Sequence, residues 1–489
     1  MDIFFYILDA VLALFGTLII VMLIRSFCNK PKIKTGEIPQ IKENVDSEII
    51  VKHLSEAVQI PTISMVEEYV SNSKAFLDYH KWLEKTYPLL HKVAEKTIIA
   101  DYSLIYFVKG KNSNLKPACF LAHQDVVPAT DEGWEEGCFS GKITDEGFVY
   151  GRGAQDMKGH MIALLEALEL LLSKGQVFER DIYLCFGHDE EPSNSFDGAP
   201  NIVKHLEEKG IQMEFVLDEG GTMMNGKLLG INGTVALIGA CEKGNSDIEL
   251  SVKKAGGHAS NPKRHTAVGM LSEAVAKVEK NPMPTRWTNM TKVTFKELSP
   301  YCNPLFKFIF TNRDILSPIV KKIFTVASPM TNALVRTTFA PTMLWGSSAR
   351  NVMPGEARAN INTRIITGET MDDVIAYLKK LLGKDVEAKP VSYTSPTPEA
   401  DVNAESYKAI VQSINESFED VVVAPFMFIA ADDGRFYYPL TQNVFRFGPF
   451  INAVDDQNRI HGINERVSKD AMENATQFFI RCFINTCTK

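Results

Sequence analysis

The sequence predicts an α/β protein: a mostly parallel sheet with helices on both faces, carrying an inserted smaller α+β domain. Three observations predict it. Short apolar, strand-like runs alternate with amphipathic helical runs from residue 46 onward. Acids and imidazoles follow directly after those apolar runs, at the carboxyl ends of strands where open parallel sheets place their chemistry. The composition, 45% hydrophobic and 23% charged over 489 residues, is globular.

The elements follow in order. Ile3 to Ile24 is a run of 22 residues with one charge, Asp9. A hydrocarbon core takes about 20 apolar residues to cross. Arg25, Lys30, Lys32 and Lys34 come after it. A cleavable leader carries its positive charge before the apolar run. Here Asp2 precedes it, so residues 1–30 read as an uncleaved transmembrane anchor with a basic flank, a long signal sequence being the alternative. By the positive-inside rule the basic flank places the body in the cytosol. Residues 31–45 contain Pro31 and Pro39 and read as a linker.

SEIIVKHLSEAVQI has apolar residues at helical spacing and stops at Pro61. TIIADYSLIYFVKG alternates as one strand, and ACFLAHQDVVP is a short apolar run broken by Pro128. MIALLEALELLLSKG is a helix ending at Gly175, DIYLCFGHDEEP a strand and loop, NIVKHLEEKG a helix, and MEFVLDEGG a strand into a turn. These make the first part of a catalytic domain, 46–238. The texture then changes to a strand in SDIELSVKKAGGHAS, a helix in TAVGMLSEAVAKVEK, a strand in ARANINTRII and a helix in MDDVIAYLKKLL. They read as the inserted domain, 239–395. The second catalytic part, 396–489, holds a helix from Ser406, an apolar segment to Ala430, RIHGINERVS and a final helix.

Several function classes are excluded. A net charge of −8 gives no basic footprint for nucleic acid. A mean hydropathy of −0.07 excludes a polytopic membrane protein. No GxGxxG follows the first strand and no P-loop is present. Eight cysteines without a CxxC pair make no disulfide scaffold, and Cys119 and Cys185 read as plain core.

Five segments bring polar groups to strand ends: His123 and Asp125, Asp156, Glu190 and Glu191, Asp218, and His461. So many carboxylates in one crevice need a cation, because like charges a few ångströms apart cannot all stay ionised. Two imidazoles with carboxylates suit Zn²⁺. Two zinc ions sharing a bridging carboxylate account for the surplus of acids. Asp125, two residues from His123 on the same strand face, can accept its other ring N–H.

HQDVVP, GRGAQDMKG, GHDEE, LDEGG, GGHAS, NVMPG, RFY and RIHGINE occur in this order. As a set they resemble the dinuclear zinc metallopeptidases that include carboxypeptidase S and the aminoacylases, from about residue 46 to the C-terminus. The resemblance implies a zinc-exopeptidase-like fold whose inserted lid also serves dimerisation. It implies Asp156 as the bridge between two zinc ions, His123 and Asp218 completing one site and Glu191 and His461 the other. Glu190 is then the general base acting on a metal-activated water, and Asp125 orients His123. His258 resembles the lid histidine that stabilises the oxyanion, often in the neighbouring subunit. Asn351 and Arg435, with Arg364, match positions contacting the substrate's free carboxylate.

The implied substrate is a small molecule, an N-acyl amino acid or a peptide with a free C-terminal carboxylate, cleaved or condensed at its amide. A plain carboxypeptidase or dipeptidase is the rival within the class. A non-catalytic, membrane-tethered binding protein is the rival outside it. The resemblance also implies the secretory pathway, with a lumenal or extracellular catalytic domain, secreted if the N-terminal segment is cleaved. AADDGRFY departs from the family pattern, which has Ser or Thr beside the Asp, and this bears on specificity. His160 reads as a surface or helix residue. Residues 303–339 read as a lid core, a subunit interface, or an apolar surface for an acyl chain or membrane.

Overall fold

In the computed structural model of the chain, residues 2–31, 33, 36–65, 73–192, 196–451, 456 and 458–488 are described. Lys32 and Lys34 of the expected basic flank lie outside them.

A nine-stranded sheet carries the fold. Its order is Glu95–Ile99, Ser103–Val108, Ile182–Gly187, Ala118–His123, Phe215–Asp218, Val444–Arg446, Thr234–Glu242 and Val421–Phe428, with Thr222–Asn225 added beside Thr234–Glu242. The four strands at its centre, from Ile182–Gly187 to Val444–Arg446, are mutually parallel. The antiparallel pairings lie outside this core. The expected single strand TIIADYSLIYFVKG is instead a hairpin, because Ala100 and Asp101 both take positive φ and turn the chain.

Alternation along the central strands explains helices on both faces. Ala118, Phe120 and Ala122 point into one cluster with the helices Ser47–Val58, Lys158–Ser173 and Lys469–Cys487. Cys119 and Leu121 point into the other, with the helix Ala199–Glu208. Asp46 caps the first of these helices, its Oδ1 accepting from the N–H of Glu48 and Ile49.

Residues 239–395 do not form one layer. A second, four-stranded antiparallel sheet has the order Thr338–Trp345, Glu356–Ile365, Gly244–Lys253 and Glu387–Thr394. It buries one face against the helices Ala267–Lys280 and Met371–Leu382. The strand Thr234–Glu242, however, crosses residue 239 and belongs to the central sheet. Helices between residues 289 and 333 also cover that sheet: Phe295, Phe310, Val320 and Phe324 pack on Val235, Leu237, Val422 and Ala424. Much of the stretch 303–339 is therefore a layer of the main domain rather than the core of a lid.

Candidate metal centre and active-site cleft

Three adjacent parallel strands end at the same edge of the sheet, and this assembles the site. His123 closes its strand in register with Gly187, and Asp218 closes the neighbouring strand. The His123 ring is buried and bracketed by acids. Its Nδ1 lies 3.0 Å from the Asp125 carbonyl oxygen and 3.3 Å from Asp125 Oδ1. Its Nε2 lies 3.1 Å from Asp156 Oδ1 and 3.3 Å from Glu219 Oε1. Across the site, His461 Nε2 lies 3.1 Å from Asp156 Oδ2 and 2.9 Å from Glu191 Oε2.

Two groups of potential ligands result, His123–Asp156–Glu219 and Asp156–Glu191–His461, each with its atoms within 4.8 Å of one another. They share Asp156, which offers one oxygen to each side. Glu191 Oε1 is buried without a hydrogen-bond partner. That orphaned oxygen, and one imidazole with two carboxylates in each group, fit a divalent cation on each side of Asp156.

Glu219, rather than the expected Asp218, faces His123. The Asp218 carboxylate accepts from the Glu219 N–H at 2.8 Å and the Gly434 N–H at 2.6 Å. Successive residues leaving a strand point to opposite faces, so only one of this pair can turn toward His123.

Supporting carboxylates hold these groups in place. Asp125 is fully buried and accepts from the Ser64 hydroxyl and from the N–H groups of Glu190 and Glu191, at 3.3 and 3.1 Å. One side chain thus fixes both the His123 ring and the turn that presents the two glutamates. Glu465, also buried, accepts from Arg152 Nη1 at 2.5 Å and from the N–H of Gln155 and Asp156. Arg152 Nη2 donates to the His461 carbonyl at 3.0 Å, tying the Asp156 loop to the His461 loop. Sequence reasoning passed over Ser64, Arg152, Glu219 and Glu465. Three of the four lie inside quoted motifs: Arg152 in GRGAQDMKG, Glu219 in LDEGG and Glu465 in RIHGINE.

The electrostatics are those of crowded acids. Burial pushes Glu190 well above the usual carboxylate range, with Glu219, Asp433 and Glu191 adding to it. Burial raises Glu191 to about 7 and Glu219 to about 8, in each case with the Asp156 charge adding. Hydrogen bonds to Asp156 and Glu191 raise His461 to about 10.

A cleft of about 790 Å³ opens onto these groups. Asp156, Glu190, Glu191, Glu219 and His461 line it together with Phe428, Phe436, Phe450, Ile460, Arg364 and Arg435. Arg435 Nη1 pairs with Glu242 at 3.2 Å, while Arg435 Nη2 and Arg364 Nη1 are buried without partners. His160 lines the cleft too, but it is a buried helix residue against Phe479, and burial lowers it to about 3. Asp432 of AADDGRFY also lines the cleft, and its Oδ2 accepts from Arg446 Nε at 2.6 Å.

His258 and Asn351 are not brought to this cleft. His258 is exposed on the short ladder Gly257–His258 with Val352–Met353, its Nδ1 2.7 Å from Ser260 Oγ. Asn351 is exposed beside it, its carbonyl accepting from the Ala259 N–H.

Comparison with known proteins agrees with this geometry. Over 444 residues the chain is 37% identical to a probable carboxypeptidase S-like 2 of Dictyostelium discoideum, covering 89% of this chain and 85% of that protein. It is 34% identical to the human N-fatty-acyl-amino acid synthase/hydrolase PM20D1 over 442 residues, 89% of this chain and 87% of that one. The fold matches an M20 family metallo-carboxypeptidase of Sulfolobus solfataricus, with TM-score 0.63 and 18% identity over 88% of this chain and 98% of that one. It also matches the Bacillus subtilis YXEP protein, described as a dinuclear metal binding peptidase, with TM-score 0.55 and 11% identity over 89% of this chain and 98% of that one. Residues 119–485, from the His123 strand through the final helix, match peptidase family M20/M25/M40, and the chain belongs to that family of metal-dependent enzymes.

Proposed function

We propose that the chain is a two-zinc amidohydrolase that cleaves, and reversibly forms, the amide bond of N-acyl amino acids, with peptides bearing a free C-terminal carboxylate as the second substrate class. One observation carries this reading. Glu190 stands in the cleft beside two ligand groups that share Asp156, yet belongs to neither group. Zinc, when bound, supplies Lewis acidity toward the amide oxygen and acidifies a nearby water. Glu190 is the proton carrier. Its raised affinity for a proton suits it to take one from the attacking water and return it to the leaving nitrogen. Asp125 and Glu465 orient the ligands. Arg364 and Arg435, with unpartnered N–H groups, are the donors for a substrate carboxylate. For His258 or Asn351 to take part, the lid must move or a second copy of the chain must supply them.

An acyl-length series tests the substrate. Each buried CH₂ contributes about 0.8 kcal/mol, and Phe428, Phe436 and Phe450 offer apolar lining. KM should fall as the N-acyl chain lengthens from acetyl to oleoyl, and chelator should abolish turnover throughout. A flat series with faster peptide cleavage would assign the chain to the carboxypeptidases or dipeptidases.

The choice between Asp218 and Glu219 is testable by metal content. Glu219→Ala should lose more bound zinc on dialysis than Asp218→Asn, because Asp218 already has two N–H partners. The reverse ranking would make Asp218 the ligand.

The metal-free protein should lose stability as pH rises. Glu191 and Glu219 ordinarily titrate near 4.5 but are raised to about 7 and 8 when folded. Between those values the folded chain holds protons that the unfolded chain has released, so stability falls with rising pH. His461, raised to about 10, acts in the same direction above its ordinary 6.5. Thermal unfolding of chelated protein should drop from pH 5 to 8, and zinc-loaded protein should not follow it.

For localisation, we place the helix Ile3–Cys28, long and apolar enough to cross a bilayer, as an anchor in the secretory pathway with the enzyme lumenal or extracellular. Protease protection of intact vesicles decides the side.

A further inference from the structure

The N-terminal helix Asp2–Cys28 docks on the body by its last turns. Met22 is buried, and Asn312 Nδ2 donates to the Met22 carbonyl at 3.1 Å and to Ser26 Oγ at 3.0 Å. Asn29 Nδ2 donates to Ser299 Oγ at 2.9 Å and Thr311 Oγ1 at 2.8 Å. Arg25 pairs with Asp314 at 3.1 Å. Before Met22, residues 3–21 are exposed apart from half-buried Gly16. At 1.5 Å per residue that segment is about 28 Å long, against a hydrocarbon core of about 30 Å. If the helix spans, hydrocarbon ends near Met22 and the neighbouring surface meets the headgroups.

That neighbouring surface consists of three short helices, Pro304–Thr311, Ser317–Ala327 and Pro329–Ala333. The middle one turns Val320 and Phe324 inward and Ile319, Ile323 and Val326 outward, at spacings that trace one helical face. Val326 is 78% exposed, and the flanking helices expose Leu305 and Met330. Residues 304–333 carry Lys307, Arg313, Lys321 and Lys322 against a single acid, Asp314, and Arg25 already pairs with it. In a chain of net charge −8 this face is locally cationic and apolar. That combination suits the interface of an anionic bilayer.

We propose that the helices of residues 304–333 rest in the headgroup layer of an anionic membrane, flush with the N-terminal helix, so that the enzyme lies against the bilayer instead of standing off on a tether. The proposal is independent of the amide chemistry and rests on Asp2–Cys28 spanning the membrane.

The test uses the full chain with Cys28→Ser, reconstituted in phosphatidylcholine vesicles containing phosphatidylserine. A nitroxide is placed at Val326→Cys, with Met330→Cys as a second site should the first disturb folding. Val391→Cys, 69% exposed on the four-stranded sheet, is the aqueous control. At positions 326 and 330, collisions with oxygen should exceed those with a water-soluble nickel chelate several-fold, and position 391 should show the reverse. Nickel access at 326 and 330 equal to that at 391, in protein that floats with the vesicles, would overturn the proposal. So would dipolar broadening between labels, which would put a second copy of the chain on this face. Protein that fails to float removes the spanning helix and the proposal with it, while leaving hydrolysis of acylated amino acids untouched.

Discussion

Glu190→Gln should keep both cations and lose turnover by about 10²–10⁴-fold, the range that a positioned general base contributes. The amide has the shape of the carboxylate but cannot accept and carry the proton. The substitution leaves both ligand groups intact, since Glu190 is in neither. It also leaves intact the N–H through which residue 190 is held to Asp125, at 3.3 Å. Metal content by elemental analysis, set beside kcat, is the measurement. Zinc retained with turnover lost separates the base from a ligand. Near wild-type turnover would move the proton-carrying role to another acid in the cleft, and Glu219 would be the first to examine. Asp156→Asn provides the contrast: it weakens both ligand groups at once and should lose zinc and turnover together.

The fold was legible because the central strands are short, buried on both faces and punctuated by Gly and Pro. ACFLAH, IYLCFG and FVLD are all observed strands. The hairpin at Ala100–Asp101 was not legible, since alternation continues on both sides of the turn and neither residue is Gly. Nor was the destination of residues 289–333. An amphipathic helix reports that it has a buried face and does not report which sheet covers it. Phe295, Phe310 and Phe324 could have faced either one.

The site divides the same way. His123, Asp156, Glu191 and His461 were legible because each follows an apolar run or sits in an ordered motif, and the sheet brings all four together. Asp218 and Glu219 were not separable. A strand end places consecutive residues on opposite faces, and which one turns toward His123 depends on the distant Gly434 N–H that takes Asp218. His258 shows another limit. Its motif marks a residue type, while its place relative to the cleft depends on how the second sheet is set, which no local pattern encodes.

Arg446 should be the most costly single truncation outside the metal centre. It is fully buried at the end of a central strand, where Nε donates to Asp432 Oδ2 at 2.6 Å and Nη2 to Glu242 Oε2 at 3.1 Å. Burial raises both acids, Glu242 to about 8, and the Arg446 charge is what most opposes burial at each of them. Arg446→Met leaves Asp432 buried without its hydrogen-bonded cation and should destabilise the chain by about 3–5 kcal/mol, the cost of removing one partner from a buried ion pair. Denaturant unfolding of zinc-loaded protein measures it. Adding Asp432→Asn removes the stranded charge and should recover part of the loss, because the two effects are not additive within one network. The consequence reaches the cleft. Asp432 begins the turn that carries Gly434 to Asp218 and Arg435 to Glu242, so loosening it frees the proposed carboxylate donor. At temperatures where Arg446→Met is still folded, KM should therefore rise more than kcat falls. A loss under about 1 kcal/mol, the scale of an exposed pair, with KM unchanged would mean that the sheet holds this turn without the arginine.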